Sequence, residues 1–231
     1  MTTPELLDLL PLIVLGAVLG LDVVSFPQAM ISRPIVAATA AGALIGQPGR
    51  GLAMGVALEF FALESLPFGA SRYPEWGSAA VIGGTLFAQS PDGTAAAMTT
   101  SAFFALVSAS VGGSSMILLR RWNAFWVRRQ QTRIARGSGS AVMTLQLGGL
   151  SSDLLRGGVI TAAGLILLTP LHEAVLGTLT MTPTVSRAFV VSIASAVGLA
   201  AVWKVVRLTP GARWFLLAGL AVGFLIAGEM P

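Results

Sequence analysis

The stretch "GVALEFFALESLPFGASRYPEWG", residues 55–77, places two carboxylates, Glu59 and Glu64, inside and at the end of an apolar run. An ionised carboxylate at the centre of a membrane costs about 2.5 kcal/mol or more on insertion scales. Such side chains face a bundle interior or a watery cavity, and they mark the path of a substrate or an ion. The stretch therefore predicts a polar site inside an apolar helical bundle.

The composition indicates an integral membrane protein. Hydrophobic residues make up 55% of the 231 residues and charged residues only 10%, whereas soluble domains carry about 25% charged residues. The chain has no cysteine, which excludes disulfides and thiolate chemistry. Its start, MTTPELLDLL, lacks the basic region and the cleavage site of a secretory signal, so we expect it to be retained.

Apolar segments predict an all-α polytopic bundle of transmembrane helices. They cover residues 9–24, 34–46, 51–66, 77–90, 94–119, 157–179, 186–206 and 213–229. Since a span needs roughly 20 residues, the short segments are expected to be broken or re-entrant helices. We expect a single membrane domain, with N-terminal helices over 1–119, a basic loop over 120–140 and C-terminal helices over 141–231.

The segment "RRWNAFWVRRQQTRIAR", residues 120–136, carries six of the fourteen basic residues and no acid. One interpretation is a patch that binds nucleic acid or a calmodulin-like partner. The other is an amphipathic cytoplasmic loop on anionic headgroups, with its aromatic side chains at the interface. The positive-inside rule favours the second interpretation. It places residues 120–136 in the cytoplasm and gives nucleic acid no role.

Glycine pairs spaced by four residues predict close helix packing, because small residues one turn apart let helix backbones approach each other. The pairs are Gly16/Gly20, Gly42/Gly46, Gly51/Gly55 and Gly219/Gly223.

Polar side chains within or beside the short apolar segments are the candidate substrate ligands. They are Asp22, Gln28, Glu59, Glu64, Ser71 and Glu75. Carboxylates accept strong hydrogen bonds from hydroxyl groups, and a glutamine amide both donates and accepts. This set suits a neutral sugar in a cavity.

An alternative gives the carboxylates a structural role. Glu59 would then form a buried ion pair with Arg33 or Arg50 that holds helices in register. Glu64 would lie near the interface and pair with Arg72. We expect Arg33 to act structurally, as the partner of a carboxylate.

The sequence predicts no cofactor and no metal site. His172 is the only histidine, and we expect it at the outer interface. A single histidine without cysteine gives no metal-ligand cluster. A nucleotide loop of the GxxxxGK type is also absent from the sequence.

Residues 31–77 resemble the integral-membrane IIC subunit of the mannose/fructose/sorbose family of sugar phosphotransferase systems. The matching features are Arg33-Pro34, the run Gly55-Val-Ala-Leu-Glu59, Gly69-Ala70 and Pro74-Glu75. The departures from the family pattern include Glu64, which stands where glycine is common, Glu75, which stands where aspartate is common, and a thinner polar cluster before Arg33, with Met30 and Ile31.

The resemblance implies a sugar-translocating subunit of the bacterial inner membrane that forms the path of a hexose-type sugar with a second membrane subunit, IID. It implies a homotrimer or a trimer of heterodimers. A cytoplasmic IIB protein, supplied with phosphate by IIA, would phosphorylate the sugar, so the phosphoryl chemistry is not on this chain. By position, Glu59 is the best candidate ligand, assisted by Asp22 and Gln28.

Two other functions fit the same residues. A membrane scaffold or sensor would depend on the glycine pairs and the arginine-rich segment. An ion-coupled transporter would use the buried carboxylates as proton carriers.

Overall fold

The computed structural model describes residues 7–22, 24–63, 73–179 and 182–228. Eight helices of more than ten residues lie in these ranges, and no strand does. They are α1 Leu10–Asp22, α2 Pro34–Leu44, α3 Pro48–Ala62, α4 Trp76–Gln89, α5 Ala95–Ala135, α6 Gly139–Thr178, α7 Pro183–Leu208 and α8 Ala212–Gly228. The predicted all-α fold is confirmed.

Helix lengths fall into two classes. Within the described ranges, α5, α6 and the 183–200 part of α7 are long and apolar enough to cross a bilayer. Helices α1 to α4 have 11 to 15 residues. Such helices are about 16 to 23 Å long at 1.5 Å per residue, which is shorter than the hydrocarbon core of about 30 Å. The short apolar segments predicted from the sequence are therefore separate short helices.

Helices α2 and α3 form a tight hairpin. Each helix begins with a proline, α2 with Pro34 and α3 with Pro48. Proline lacks a backbone N–H, and at the first position of a helix that N–H would have no hydrogen-bond partner within the helix. Gly46 has φ +80 in the turn between them, a conformation that favours glycine. A Cβ on Gly46 would meet nothing within 4 Å. This glycine therefore serves the turn rather than the helix packing expected from its spacing.

Other glycines do set close helix contacts. A Cβ on Gly51 would lie 2.9 Å from the Cα of Gly42 across the hairpin, closer than carbon atoms pack. Gly20 approaches Gly157 in the same way, with 3.2 Å between the added Cβ and the Cα of Gly157. Small residues on both sides thus hold α2 against α3 and α1 against α6, as predicted.

Helix α4 is the centre of the bundle. Every residue from Trp76 to Ala88 is buried, and the helix contacts α1, α2, α3, α5 and α6. A helix that is apolar on all faces can be stable only when neighbours surround it. Ile82 and Leu86 of α4 pack in the core with Leu58 of α3 and Leu165 of α6.

Residues 120–135 are helical rather than the loop expected from the sequence. They continue α5, because residues 114–136 contain neither proline nor glycine and are rich in good helix formers. The helix ends where Gly137 has φ +75 and the N–H of Ser138 donates to the carbonyl of Arg133, a Schellman motif. The Ser138 hydroxyl then caps α6. A helical hairpin, not a loop, carries the arginines.

Side-chain contacts show that α5 and α6 run antiparallel. Ser101 is bonded to His172, and Ser115 accepts from Arg156. We call the end of the bundle from which residues 120–138 extend the arginine end. The turn at Gly46 and the residues after α4 lie at the opposite end, where Arg50 contacts Pro91.

The glycine contact in the α2–α3 hairpin gives a stability test. We expect Gly51→Ala to lower the free energy of unfolding by about 1–3 kcal/mol, the usual cost of overpacking, because its Cβ would strike backbone atoms of Ala38 and Gly42. Thermal unfolding of the purified protein in detergent micelles measures the effect. Gly49→Ala on the same helix is the control, because its Cβ meets nothing within 4 Å. Equal melting of both variants would contradict the packing argument.

Candidate functional site

Asp22 organises the polar segment between α1 and α2. Its carboxylate is 1% exposed and accepts hydrogen bonds from the backbone N–H of Ala29 at 2.7 Å and of Ser32 at 2.9 Å. The Ser32 hydroxyl donates a third bond at 2.8 Å. The carboxylate thus fixes the course of residues 24–33. Its predicted role as a sugar contact stays a prediction, and in this conformation its bonds are made within the chain.

Gln28, another predicted ligand, lies at the surface of the same segment. Its backbone has φ +60, and its side-chain amide donates to the carbonyl of Val24 at 3.0 Å. The side chain is exposed. It keeps its amide oxygen available to a ligand, although it does not contact Asp22 or Glu59 by a hydrogen bond.

Glu59 forms an ion pair with Arg33. The guanidinium of Arg33, one residue before α2, donates to one carboxylate oxygen of Glu59 in the last turn of α3. The other oxygen accepts from the backbone N–H of Ile35 at 3.2 Å. The sequence left Arg33 and Arg50 open as partners, and the structure selects Arg33. The side chains remain 35% and 19% exposed for Arg33 and Glu59, so the pair is accessible from one side.

Arg50 has a different role. Its guanidinium donates to the carbonyl oxygens of Ser90, Pro91 and Ala88 at the end of α4. A cation is favourable at a helix C-terminus, where carbonyl groups have no helical partner. Arg50 therefore ties the start of α3 to the end of α4.

Glu75 is the N-cap of α4. Its carboxylate accepts from the backbone N–H of Ser78 at 3.1 Å, and an acid at this position also interacts favourably with the helix dipole. The residue is 1% exposed. Its second carboxylate oxygen has no hydrogen-bond partner among the described residues and packs against Gly112. This geometry gives Glu75 a structural role beside the predicted one.

Three of the predicted site residues, Glu64, Ser71 and Arg72, lie outside the described residues. Within the described part of the chain, the structure brings Arg33 and Glu59 into contact. It places Asp22 and Gln28 on the segment that leads to Arg33. It buries Glu75 at the start of α4, and no hydrogen bond connects Glu75 to Asp22 or Glu59.

A second ion pair, which the sequence analysis missed, lies in α6. Arg156 donates through Nε to Asp153 at 2.9 Å, and the side chains are only 8% and 2% exposed. The Arg156 guanidinium also bonds Ser115 of α5 at 3.2 Å and the Gly20 carbonyl of α1 at 3.3 Å. The Ser25 hydroxyl donates to the other oxygen of Asp153. One pair thus joins three helices and the polar segment.

The sequence did contain a signal for this pair. Asp153 and Arg156 stand three residues apart, which places them on one helix face, and Gly157 and an apolar run follow directly. An opposite-charge pair at this spacing beside a membrane span indicates burial against neighbouring helices.

His172 is buried between helices. It is 3% exposed, and its Nε2 lies 2.9 Å from the hydroxyl of Ser101. Its ring meets Phe104 edge-on, with 6.3 Å between ring centroids. The ring is thus enclosed between α5 and α6, and its predicted depth at the outer interface stays a prediction.

Long apolar helices, short apolar helices and ion pairs within the apolar region together indicate a polytopic helical membrane protein. A family model described as "PTS system sorbose-specific iic component" (EII-Sor) matches residues 7–229. The chain belongs to this family, which confirms the resemblance found in residues 31–77.

Solved structures support the same fold. A structure titled "Structure of membrane protein" matches with a TM-score of 0.71 at 17% identity, covering 100% of this chain and 89% of the other. A second, titled "CryoEM Structure of Mannose Transporter ManYZ and Microcin E492 (MceA) complex", matches with a TM-score of 0.60 at 17% identity, covering 100% and 88%. At this identity the likeness shows the fold alone. A comparison with curated protein sequences returned no match.

The Asp153–Arg156 pair allows a test of buried-charge energetics. Asp153→Ala should cost about 3–5 kcal/mol of stability, because it leaves the Arg156 guanidinium buried without its counter-charge. The double variant Asp153→Leu/Arg156→Met should recover much of that loss, since neither charge then remains to be buried. Unfolding in mixed micelles measures both.

Arg128→Ala is the control for this test, because Arg128 is exposed on the arginine hairpin and should change stability little. A double variant as unstable as Asp153→Ala would contradict the proposed origin of the cost.

Proposed function

We propose that this chain is the sugar-translocating IIC subunit of a bacterial phosphoenolpyruvate-dependent phosphotransferase system, acting on a hexose-type sugar. The observation that carries the proposal is the family match over residues 7–229. The scaffold-or-sensor alternative and the ion-coupled alternative have no specific observation in their favour.

The Glu59–Arg33 pair is the proposed sugar-binding element. Arg33 places an opposite charge directly beside the Glu59 carboxylate in an apolar setting. An ionised carboxylate accepts two hydroxyl groups strongly, and the guanidinium of Arg33 offers further donors. The 19% exposure of the Glu59 side chain leaves one side open to a ligand. A sugar thus meets an acceptor and a donor side by side.

A second membrane subunit, IID, is the proposed partner at this site. The hairpin turns an apolar surface outward around Glu59, formed by Ile35, Val36, Leu52, Val56 and Phe60. An ion pair at the end of such an apolar surface is costly against lipid alone, and a protein partner would cover it. The proposed assembly is a homotrimer or a trimer of heterodimers, as the family resemblance implies.

The arginine hairpin sets the proposed orientation. Six arginines and no acid lie in residues 120–136, so the positive-inside rule places this end in the cytoplasm. The turn at Gly46 and the residues after α4 then face outward. Cytoplasmic IIA and IIB proteins would approach the arginine end. Phosphoryl transfer takes place on those proteins in this proposal.

Replacement of Glu59 tests the site. In cells that express the whole system, Glu59→Gln should reduce uptake of the transported hexose about tenfold or more, because a charge-assisted acceptor is lost. Initial uptake rates of labelled mannose, fructose, glucose and sorbose measure the effect. The amount and the melting temperature of the assembled protein are recorded in parallel.

Glu173→Gln is the matched control, because Glu173 is an exposed carboxylate near the other end of the bundle. Its uptake should stay within twofold of the parent. Normal uptake by a well-assembled Glu59→Gln protein would remove Glu59 from the sugar site.

A further inference from the structure

A cavity of about 360 Å³ lies between the polar segment that follows α1 and the helices α5 and α6, beside the arginine end. Cavities that hold small molecules measure roughly 300–1,000 Å³. It is distinct from the Glu59–Arg33 pair, since neither of those residues lines it. Its polar lining groups are Ser25, Arg120, Asn123, Gln146 and Asp153.

Asp153 is the distinctive group of this cavity. It is 2% exposed, and a buried ionisable residue in a membrane helix marks a functional site by default. Its two oxygens already accept from Arg156 and Ser25. A carboxylate has about four acceptor positions, so it can accept further donors from a molecule in the cavity.

Two side-chain amides supply the complementary groups. Asn123 of α5 and Gln146 of α6 line the cavity, and within the described ranges neither side chain has a recorded hydrogen bond. Each amide both donates and accepts. Phe26 stands at the same cavity with 65% of its surface exposed, which offers an apolar face. A ligand would meet acceptors, donors and an apolar wall together.

The polar groups of the cavity suit a neutral ligand with hydroxyl groups. Among the described residues that line the cavity, Arg120 carries the one guanidinium, and it donates to the hydroxyl of Tyr73 at 2.7 Å and lies over its ring. The charge of the Asp153 carboxylate is offset by the paired Arg156 guanidinium, so the two side-chain amides and the remaining acceptor positions of Asp153 are the groups left for a ligand. Hydroxyl groups donate readily to a carboxylate. The chemistry fits a neutral polyhydroxylated molecule.

We propose that this cavity is a second sugar site of the chain, separate from Glu59, with Asp153, Asn123 and Gln146 as the hydrogen-bonding residues. This inference rests on the proposed function, since it assigns the same class of ligand to a second position. The site lies at the arginine end, the proposed cytoplasmic end, toward which the Glu59–Arg33 pair also lies, since both of those residues are far from the turn at Gly46. The Ser25–Asp153 bond connects the cavity to the segment that Asp22 organises.

Sugar protection of a single cysteine tests the site, because the chain has no cysteine of its own. Gln146→Cys places a thiol at the cavity, and Leu147→Cys places one on the next residue, which does not line it. Leu147 is 54% exposed. Each variant is expressed with the full system, and membranes are treated with N-ethylmaleimide, with or without saturating mannose, fructose, glucose or sorbose. Mass spectrometry of the purified chain gives the labelling rate.

We expect the transported hexose to slow labelling of Gln146→Cys at least threefold and to leave Leu147→Cys unchanged. Equal rates with and without the transported hexose, or slowing of both variants alike, would overturn the inference while the proposed function stands. Protection by a hexose in a system that transports none of the four would support the site and count against the proposed function.

Asn123→Ala provides an independent measurement. The loss of one ligand hydrogen bond should raise the KM for uptake about three- to tenfold and change the maximal rate less. Ala124→Ser, on the neighbouring residue outside the cavity, should leave KM unchanged. An unaltered KM in a well-assembled Asn123→Ala protein would remove this residue from the site.

Discussion

The structure depends on one constraint: a charge in the apolar part of the chain must find its partner inside the protein, because no water is available to solvate it. Arg33 meets Glu59 across the α2–α3 hairpin, and Arg156 meets Asp153 within α6. Asp22 has no cationic partner among its recorded bonds and is satisfied by two backbone N–H groups and a hydroxyl. Each of these ion pairs or hydrogen-bond sets fixes the position of a backbone segment and stabilises a charge.

Close contacts at glycines make these charge interactions geometrically possible. Charged side chains can reach across a helix interface only where the backbones are close, and small residues supply that approach. Gly20 approaches Gly157 one residue from Arg156, whose guanidinium can then reach the carbonyl of Gly20. The hairpin contact between Gly42 and Gly51 similarly holds α2 beside α3. The close packing and the ion pairs therefore depend on each other.

The sequence predicted those features that depend on local pattern. The apolar segments predicted the positions of the helices, and segments shorter than a full membrane span predicted the short helices. For Glu59, the sequence left two possible ion-pair partners, Arg33 and Arg50. The sequence did not predict that Glu75 caps α4. An acidic residue before a helix can be a cap or a ligand-binding residue, and the two roles can be distinguished only once the position of the Ser78 N–H is known. The sequence analysis also predicted a loop at residues 120–136, where the structure has a helix, because a high density of charge is found in loops and in solvated helices alike.

The Asp153–Arg156 pair escaped prediction for a different physical reason. Its burial depends on α1 and α5, which contact it from positions far away in the sequence, through Gly20 and Ser115. Amphipathic periodicity in residues 138–158 indicates a helix at the membrane surface as well as it indicates a helix packed on neighbours. Only the tertiary arrangement separates these two cases.

The two ion pairs differ in how easily they can exchange partners. The Glu59 and Arg33 side chains are partly exposed, so a ligand hydroxyl can replace part of their interaction without uncovering a fully buried charge. Asp153 and Arg156 are nearly inaccessible, and separating them would leave two buried charges unpaired. A sugar at the second cavity must therefore add bonds to Asp153 while its existing bonds remain. The first pair suits a site that opens and closes, and the second suits a rigid one.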